Sequence, residues 1–248
     1  MSVLLEIDGL NMATEERASD NVFLEIKPDG LIIRRLMLND ATPIIEEFNK
    51  TGNKPANVRV RKLEKGDNAG TLIAEQVFES LKGFQLISLK REERFGRHYM
   101  ALTLNNYRDN QPNIVLKCVL MSESRSINRF ASSFIDKIPN IKIGTPLSII
   151  PYSIANKGSD WPVKGLTIQQ NNSKLESYFF NKETKSNING KPQPIIKLDK
   201  LTGKNLYDWT DVNEFQIDLF DKFAADISSY WNSDPKVSDL EEDDVMPF

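Results

Sequence analysis

Apolar and polar positions alternate early in the chain. The runs at 22–26 (Val22-Phe23-Leu24-Glu25-Ile26) and 31–38 flank Lys27-Pro28-Asp29-Gly30. Proline presets φ for a turn and glycine relieves the tight bend, so the pattern predicts a β-hairpin. Thr42 is placed to cap a short helix with Pro43 at its first position and Ile44, Ile45 and Phe48 on one side, ending near Gly52. Further strands are predicted at 83–90 and 98–104, bracketing the polar stretch 91–97, and at 113–121. Three strands of this length joined by polar connections predict an antiparallel meander.

Periodicity then changes. Ser126 is placed to cap a helix over 127–138, with Ile127, Phe130, Phe134, Ile135 and Ile138 on one side and a stop at Pro139. A glycine turn feeds a strand at 143–154, and 163–170 with 175–180 predicts another hairpin, turning at Asn171-Asn172-Ser173. Residues 181–193 are polar and predict an exposed loop. Asp211 or Asn213 starts a helix through Tyr230 and Trp231, whose stripe of Phe215, Leu219, Phe220, Phe223 and Ile227 suits core packing or, alternatively, self-association into a homo-oligomer.

Three strands, a helix and then more strands is the element order of an OB-fold, with the helix between its third and fourth strands. The expected class is mainly β with a few helices (α+β): an OB-fold-like antiparallel barrel with an additional N-terminal hairpin and a C-terminal helix. Residues 1–233 form the expected body, in which 1–52 either packs on the barrel or makes a small accessory module; 234–248 form an acidic tail.

At 248 residues, 40% hydrophobic and 27% charged, the chain can bury a proper core. Its one cysteine, Cys118, lies in an apolar run, which suits a small buried hydrophobe in a reducing compartment. No apolar run approaches a membrane span and the N-terminus has no signal-peptide pattern, so the expected location is the cytoplasm, away from membranes. The chain carries a formal charge of −3, of which the last ten residues supply −5, leaving +2 on residues 1–238. With so little net charge, the placement of the cations decides what the body can bind.

Cations and rings are interleaved along the β region. Arg59 and Arg61 share a strand face by period two, with Lys62 next to them, and suit either a phosphate track or a solvated strand. Around the first meander turn stand Lys90, Arg91, Arg94, Phe95, Arg97 and Tyr99, with Tyr107 and Arg108 in the next loop. Around the second hairpin stand Tyr152, Trp161, Lys164, Lys174 and Tyr178. Cations for the backbone and flat rings for unstacked bases are what single-strand binding without sequence preference needs. Phe95, Tyr107 and Trp161, with polar neighbours, suit stacking, whereas Phe84 and Phe180 suit the core.

Catalytic patterns are absent from the sequence. His98 is the only histidine, there is no Gly-x-Ser-x-Gly elbow, and no phosphate-binding glycine loop precedes a Lys-Ser/Thr pair. Asp208, Asp211, Glu214 and Asp218 could bind Mg²⁺, but acids at a helix start explain them with less. The expectation is a non-enzyme that needs no cofactor or metal.

The tail Asp239-Leu240-Glu241-Glu242-Asp243-Asp244-Val245-Met246-Pro247-Phe248 holds five acids and no base, then an apolar tip. Like charges resist collapse, while a short apolar anchor with a terminal carboxylate suits a small pocket on another protein. Asp243-Asp244-Val245-Met246-Pro247-Phe248 resembles the C-terminal tip of bacterial single-stranded DNA-binding proteins. The chain is longer than a standard member and lacks its glycine- and glutamine-rich linker, which points to a divergent, bacteriophage-type protein acting in a bacterial cytoplasm. The resemblance implies protection of single-stranded DNA in replication, recombination and repair, with replication and repair proteins recruited through those six residues. Rival expectations are a strand-annealing or recombination-mediator protein, a Mg²⁺-dependent nuclease, and an adaptor that binds no nucleic acid.

Overall fold

The computed structural model describes residues 21–64, 66, 68–94, 96–106, 112–121, 126–157, 160–199, 203 and 205–233, with the backbone of 5–8. It is mainly β, 44% strand, with three helices. In chain order the elements begin with β1 (Leu5–Asp8), β2 (Val22–Ile26), β3 (Ile32–Arg35), α1 (Leu38–Thr51), β4 (Val58–Lys62), β5 (Leu72–Arg94), β6 (Arg97–Asn105) and β7 (Ile114–Met121). There follow α2 (Arg129–Ile135), a 3₁₀ turn (Ile138–Asn140), β8 (Leu147–Ile154), β9 (Val163–Gln170), β10 (Ser173–Lys174), β11 (Phe180–Asn181) and β12 (Ser186–Asn187). A hairpin of β13 (Ile195–Leu198) and β14 (Asn205–Asp208) leads into α3 (Thr210–Asn232). Among the described residues, no helix is long and apolar enough to cross a membrane.

The long strand β5 organises the sheet. Its first half pairs with β3 and β4 and, in parallel, with β1; its second half pairs with β6, and β8 joins at Leu81–Phe84. β6 pairs with β7, β7 runs parallel to β2, and β2 turns back into β3, so five strands form a ring of hydrogen bonds. The expected N-terminal hairpin is therefore two strands of the ring itself. β8, β9 and β10 branch from β5 as an antiparallel arm. Gly30 makes the β2–β3 turn possible at φ +83°: a Cβ there would lie 2.9 Å from the backbone of Tyr152 and Ser153.

Helix starts differ from the sequence expectation. α1 begins at Leu38, four residues before Thr42, whose hydroxyl donates back to the Leu38 carbonyl at 2.7 Å instead of capping. Pro43 falls inside this helix, which ends at Gly52 with φ +74°. α2 is capped by Asn128, whose side chain accepts from the Phe130 amide, and not by Ser126. Ile127 instead bridges to Met121, which delays the start. The second hairpin turns at Asn171 and Asn172, both at positive φ, but its return strand stops at Lys174.

One large core joins the sheet to α2 and α3. Phe84, Phe134, Phe220, Leu102 and Leu116 are fully buried in it, with Phe223 and Ile227 from the α3 stripe. That stripe packs on β5 and α2, and the Trp231 indole donates to the Leu86 carbonyl at 3.0 Å. Cys118 is buried, and burial pushes its thiol up to about 12. A smaller cluster of Ala41, Val58 and Ala74 seats α1 on the opposite side.

Truncating Phe134, which is wholly enclosed, deletes packing that the helix cannot recover by collapse. Phe134→Ala is expected to cost about 3–5 kcal/mol in urea unfolding. Phe180→Ala, at a site 37% exposed, is expected to stay within about 1 kcal/mol of the parent.

Candidate nucleic-acid interface

A cleft of about 830 Å³ opens beside α2, the β8–β9 pair and the segment 174–191. Arg129, Lys137, Lys164, Lys174, Lys182 and Lys191 line it, against two carboxylates, Asp136 and Glu176. Three rings share the lining: Tyr152, Phe180 and Trp209. A second groove of about 610 Å³ carries Trp161, Pro162 and Asn156 and adjoins the cleft, because Ile127, Arg129, Val163 and Lys164 border both. Trp161 is 80% exposed.

Local chemistry builds the walls. Ser133 on α2 accepts from the Leu166 amide at 3.0 Å and donates to its carbonyl at 3.2 Å, pinning α2 to β9. Tyr152 lies opposite Gly165, where a Cβ would come within 2.5 Å of the phenol oxygen; glycine lets the ring lie across β9. Asp136 accepts from the Lys191 ammonium at 2.6 Å and from Gln216 of α3 at 2.9 Å, while its backbone carbonyl takes the Tyr178 amide at 2.7 Å. Its charge is thus consumed inside the wall. Glu176 is held by Lys182, with Lys174 at 3.8 Å.

Among the described residues, Arg129, Lys137 and Lys164 have no carboxylate within ion-pair distance. Lys137 is buried and donates only to the Ser133 carbonyl (2.8 Å) and hydroxyl (2.9 Å). Burial pushes its pKa down to about 8; Asp136 and Glu176 oppose the shift, and Lys174 and Lys182 add to it. A concave surface with excess positive charge concentrates the field where a polyanion would lie.

Of the residues expected to bind DNA, Tyr152, Lys164 and Lys174 meet in the cleft and Trp161 in the adjoining groove. Tyr178 stands outside, 43% exposed and edge-on to Phe179 at 5.0 Å. Phe180, expected in the core, lines the cleft, while its neighbour Phe179 is the buried ring. The return strand ends at Lys174, so strand alternation does not reach residue 180. Arg129, Lys137, Lys182, Lys191 and Trp209 were not anticipated; they come from four separate segments, and no local pattern unites them.

The first cluster is divided by the period of β5. Lys90 opposes Ala101 and Arg94 opposes Arg97, so these cations share the outer face with Tyr99. On that face Lys117 donates to Glu92 at 2.6 Å and sits 5.2 Å from the centre of the exposed Phe23 ring, with Arg94 3.3 Å from Glu92. Lys117 first, and Arg94 more weakly, hold the Glu92 carboxyl below its usual range. Arg91 points the other way and pairs with Asp221 of α3 at 2.8 Å. Arg59 and Arg61 do share a face, but both grip the buried Glu75, at 2.6 and 2.8 Å; Lys62 is exposed at the end of β4. Phe95, Tyr107, Arg108 and the tail residues Asp243, Asp244, Val245, Met246, Pro247 and Phe248 lie outside the described residues.

Asp208 accepts from the hydroxyl and amide of Thr210 and from Lys197, contacts that hold its carboxyl down at about 2 and start α3. Among the described residues, no three His, Cys, Asp or Glu side chains are grouped to hold a metal ion, so Asp208, Asp211, Glu214 and Asp218 do not converge. No family model, curated protein or solved structure matches this chain.

Lys137 makes stability depend on pH. Its pKa is lower in the folded protein (about 8) than in the unfolded chain (near 10.5), so between these values the unfolded state binds more protons and stability rises with pH. Unfolding in urea across pH 8 to 9 should show this rise in the parent relative to Lys137→Met. Cys118 pulls the other way at higher pH but equally in both proteins.

Proposed function

We propose that this chain is a non-enzymatic protein that binds single-stranded DNA without sequence preference, the strand lying along the Trp161 groove and the cleft. The observation that carries the reading is this joined concavity, in which Trp161, Tyr152, Phe180 and Trp209 stand among Arg129, Lys137 and Lys164, cations with no carboxylate partner among the described residues. Rings supply sequence-tolerant stacking and cations follow the phosphates. The acidic tip supports the same reading through its resemblance to bacterial single-strand binders. On this reading, the tip recruits replication and repair proteins in a bacterial cytoplasm, and the bacteriophage-type divergence accounts for the long body.

We read the body as a variant of the OB-fold. Strand order β9-β8-β5-β6-β7, with α2 between the third and fourth of these in sequence, is the order of an unrolled OB barrel. Its closing pair would be β7 with β9; in this chain β2 occupies the flank of β7, and α2 packs against both β7 and β9. The β8–β9 connection carrying Trp161 is then the loop between strands four and five, which OB-folds use for oligonucleotides.

A second reading, strand annealing, draws on the outer face of β5 and β6. Lys90, Arg94, Arg97 and Tyr99 there could hold a second strand apart from the groove.

Fluorescence titration with single- and double-stranded oligonucleotides at two salt concentrations tests the main reading. The single strand should bind more tightly. Trp161→Ala should lose about 1–3 kcal/mol of binding, and Lys164→Ala should reduce the slope of log affinity against log salt by about 0.7. No preference for the single strand would overturn the reading.

A further inference from the structure

Two groups in the lining of the cleft have features that a strand passing through does not require. Lys137 is buried, and among the described residues its ammonium, with three hydrogens to give, donates to Ser133 alone. The Ser177 hydroxyl, also in the lining, is inaccessible to solvent and, among the described residues, has no hydrogen-bond partner. A buried ammonium with a spare donor and an orphan hydroxyl in one cavity are both costly unless a ligand completes them.

The missing group must be an anion rich in acceptors. Six cations face two carboxylates in the lining, and Asp136 is already matched by Lys191. A phosphodiester brings one negative charge. A phosphomonoester brings nearly two and three acceptor oxygens, enough for the Lys137 and Ser177 donors and for the flexible Lys174. The cavity volume, about 830 Å³, lies within the range of small-molecule sites. Tyr152, Phe180 and Trp209 offer flat surfaces for the attached base.

We infer that the cleft around Lys137 and Ser177 is a site for a nucleotide phosphomonoester, either the phosphorylated end of a DNA strand or a free mononucleotide. This deepens the single-strand reading by giving the protein a preference for phosphorylated ends, and it rests on that reading only for the strand-end source. Depression of the Lys137 pKa by burial agrees with a site that recovers stability when an anion arrives.

The test compares thymidine oligonucleotides with 5′-phosphate, 3′-phosphate or only hydroxyl ends, together with thymidine monophosphate, thymidine and a circular single strand, on the full chain. A strand-end site predicts that one phosphorylated oligonucleotide binds about tenfold more tightly than its hydroxyl counterpart, a gap set by one charge-assisted contact. A free-nucleotide site predicts instead that thymidine monophosphate binds and thymidine does not. In either case Ser177→Ala should shrink the difference while leaving affinity for the circle, which has no ends, unchanged; Lys137→Met should shrink it by more than the loss it causes on the circle. Equal binding of every phosphorylated and unphosphorylated pair would overturn the inference, as would a difference that survives Lys137→Met. Failure of the circle to bind counts against the single-strand reading and leaves the mononucleotide comparison standing.

Discussion

Asp136 is the contact on which the cleft depends. It stands at the end of α2, and its carboxylate gathers Lys191 from the far wall and Gln216 from α3, while its backbone carbonyl takes the amide of Tyr178. Four segments distant in sequence are thereby held around one buried charge. A carboxylate in such a place is tolerable only while its partners stay, because breaking a buried pair costs about 3–5 kcal/mol. The arrangement therefore fixes a wall that would otherwise be a polar loop, and it pairs one carboxylate of the cleft with one of its lysines.

The same division of charge recurs over the molecule. Glu75 takes up Arg59 and Arg61, Glu92 takes up Lys117, and Asp221 meets Arg91. These pairs serve the fold, and they explain how a body of nearly neutral net charge can present a basic cavity. Most carboxylates near these cations are already engaged, whereas Arg129, Lys137 and Lys164 are left facing the groove. Burial disfavours the charged form of Lys137, so the positive charge of this wall is held at a cost.

Elements with a clear period were legible from the sequence. The β2–β3 hairpin was visible because Gly30 has no alternative at its turn, and the α3 stripe because Phe220, Phe223 and Ile227 repeat at helical spacing against the sheet. The first half of β5 was not. Ile73, Ala74, Val77, Phe78 and Leu81 are all buried: β1, β3 and β4 flank this stretch in the sheet, while the large core takes Phe78 and Leu81 and the α1 cluster takes Ala74, and a strand packed in this way loses its alternation. Half of the site was legible for a similar reason. Trp161 and Lys164 stand together in sequence, but Arg129, Lys182, Lys191 and Trp209 meet them only through the Ser133 and Asp136 contacts. Charge counting could not separate Arg59 and Arg61 from these, because whether an arginine is free depends on a carboxylate fourteen or sixteen residues away.

The central claim is that a single strand lies in the Trp161 groove and the adjoining cleft. Photocrosslinking of a bromouridine-substituted oligonucleotide, followed by mass spectrometry of the labelled peptides, tests it most directly. The account predicts adducts at Trp161, Tyr152, Phe180 or Trp209. Adducts confined to Phe23 and Tyr99 on the outer sheet face, or to the exposed β13–β14 hairpin, would contradict it.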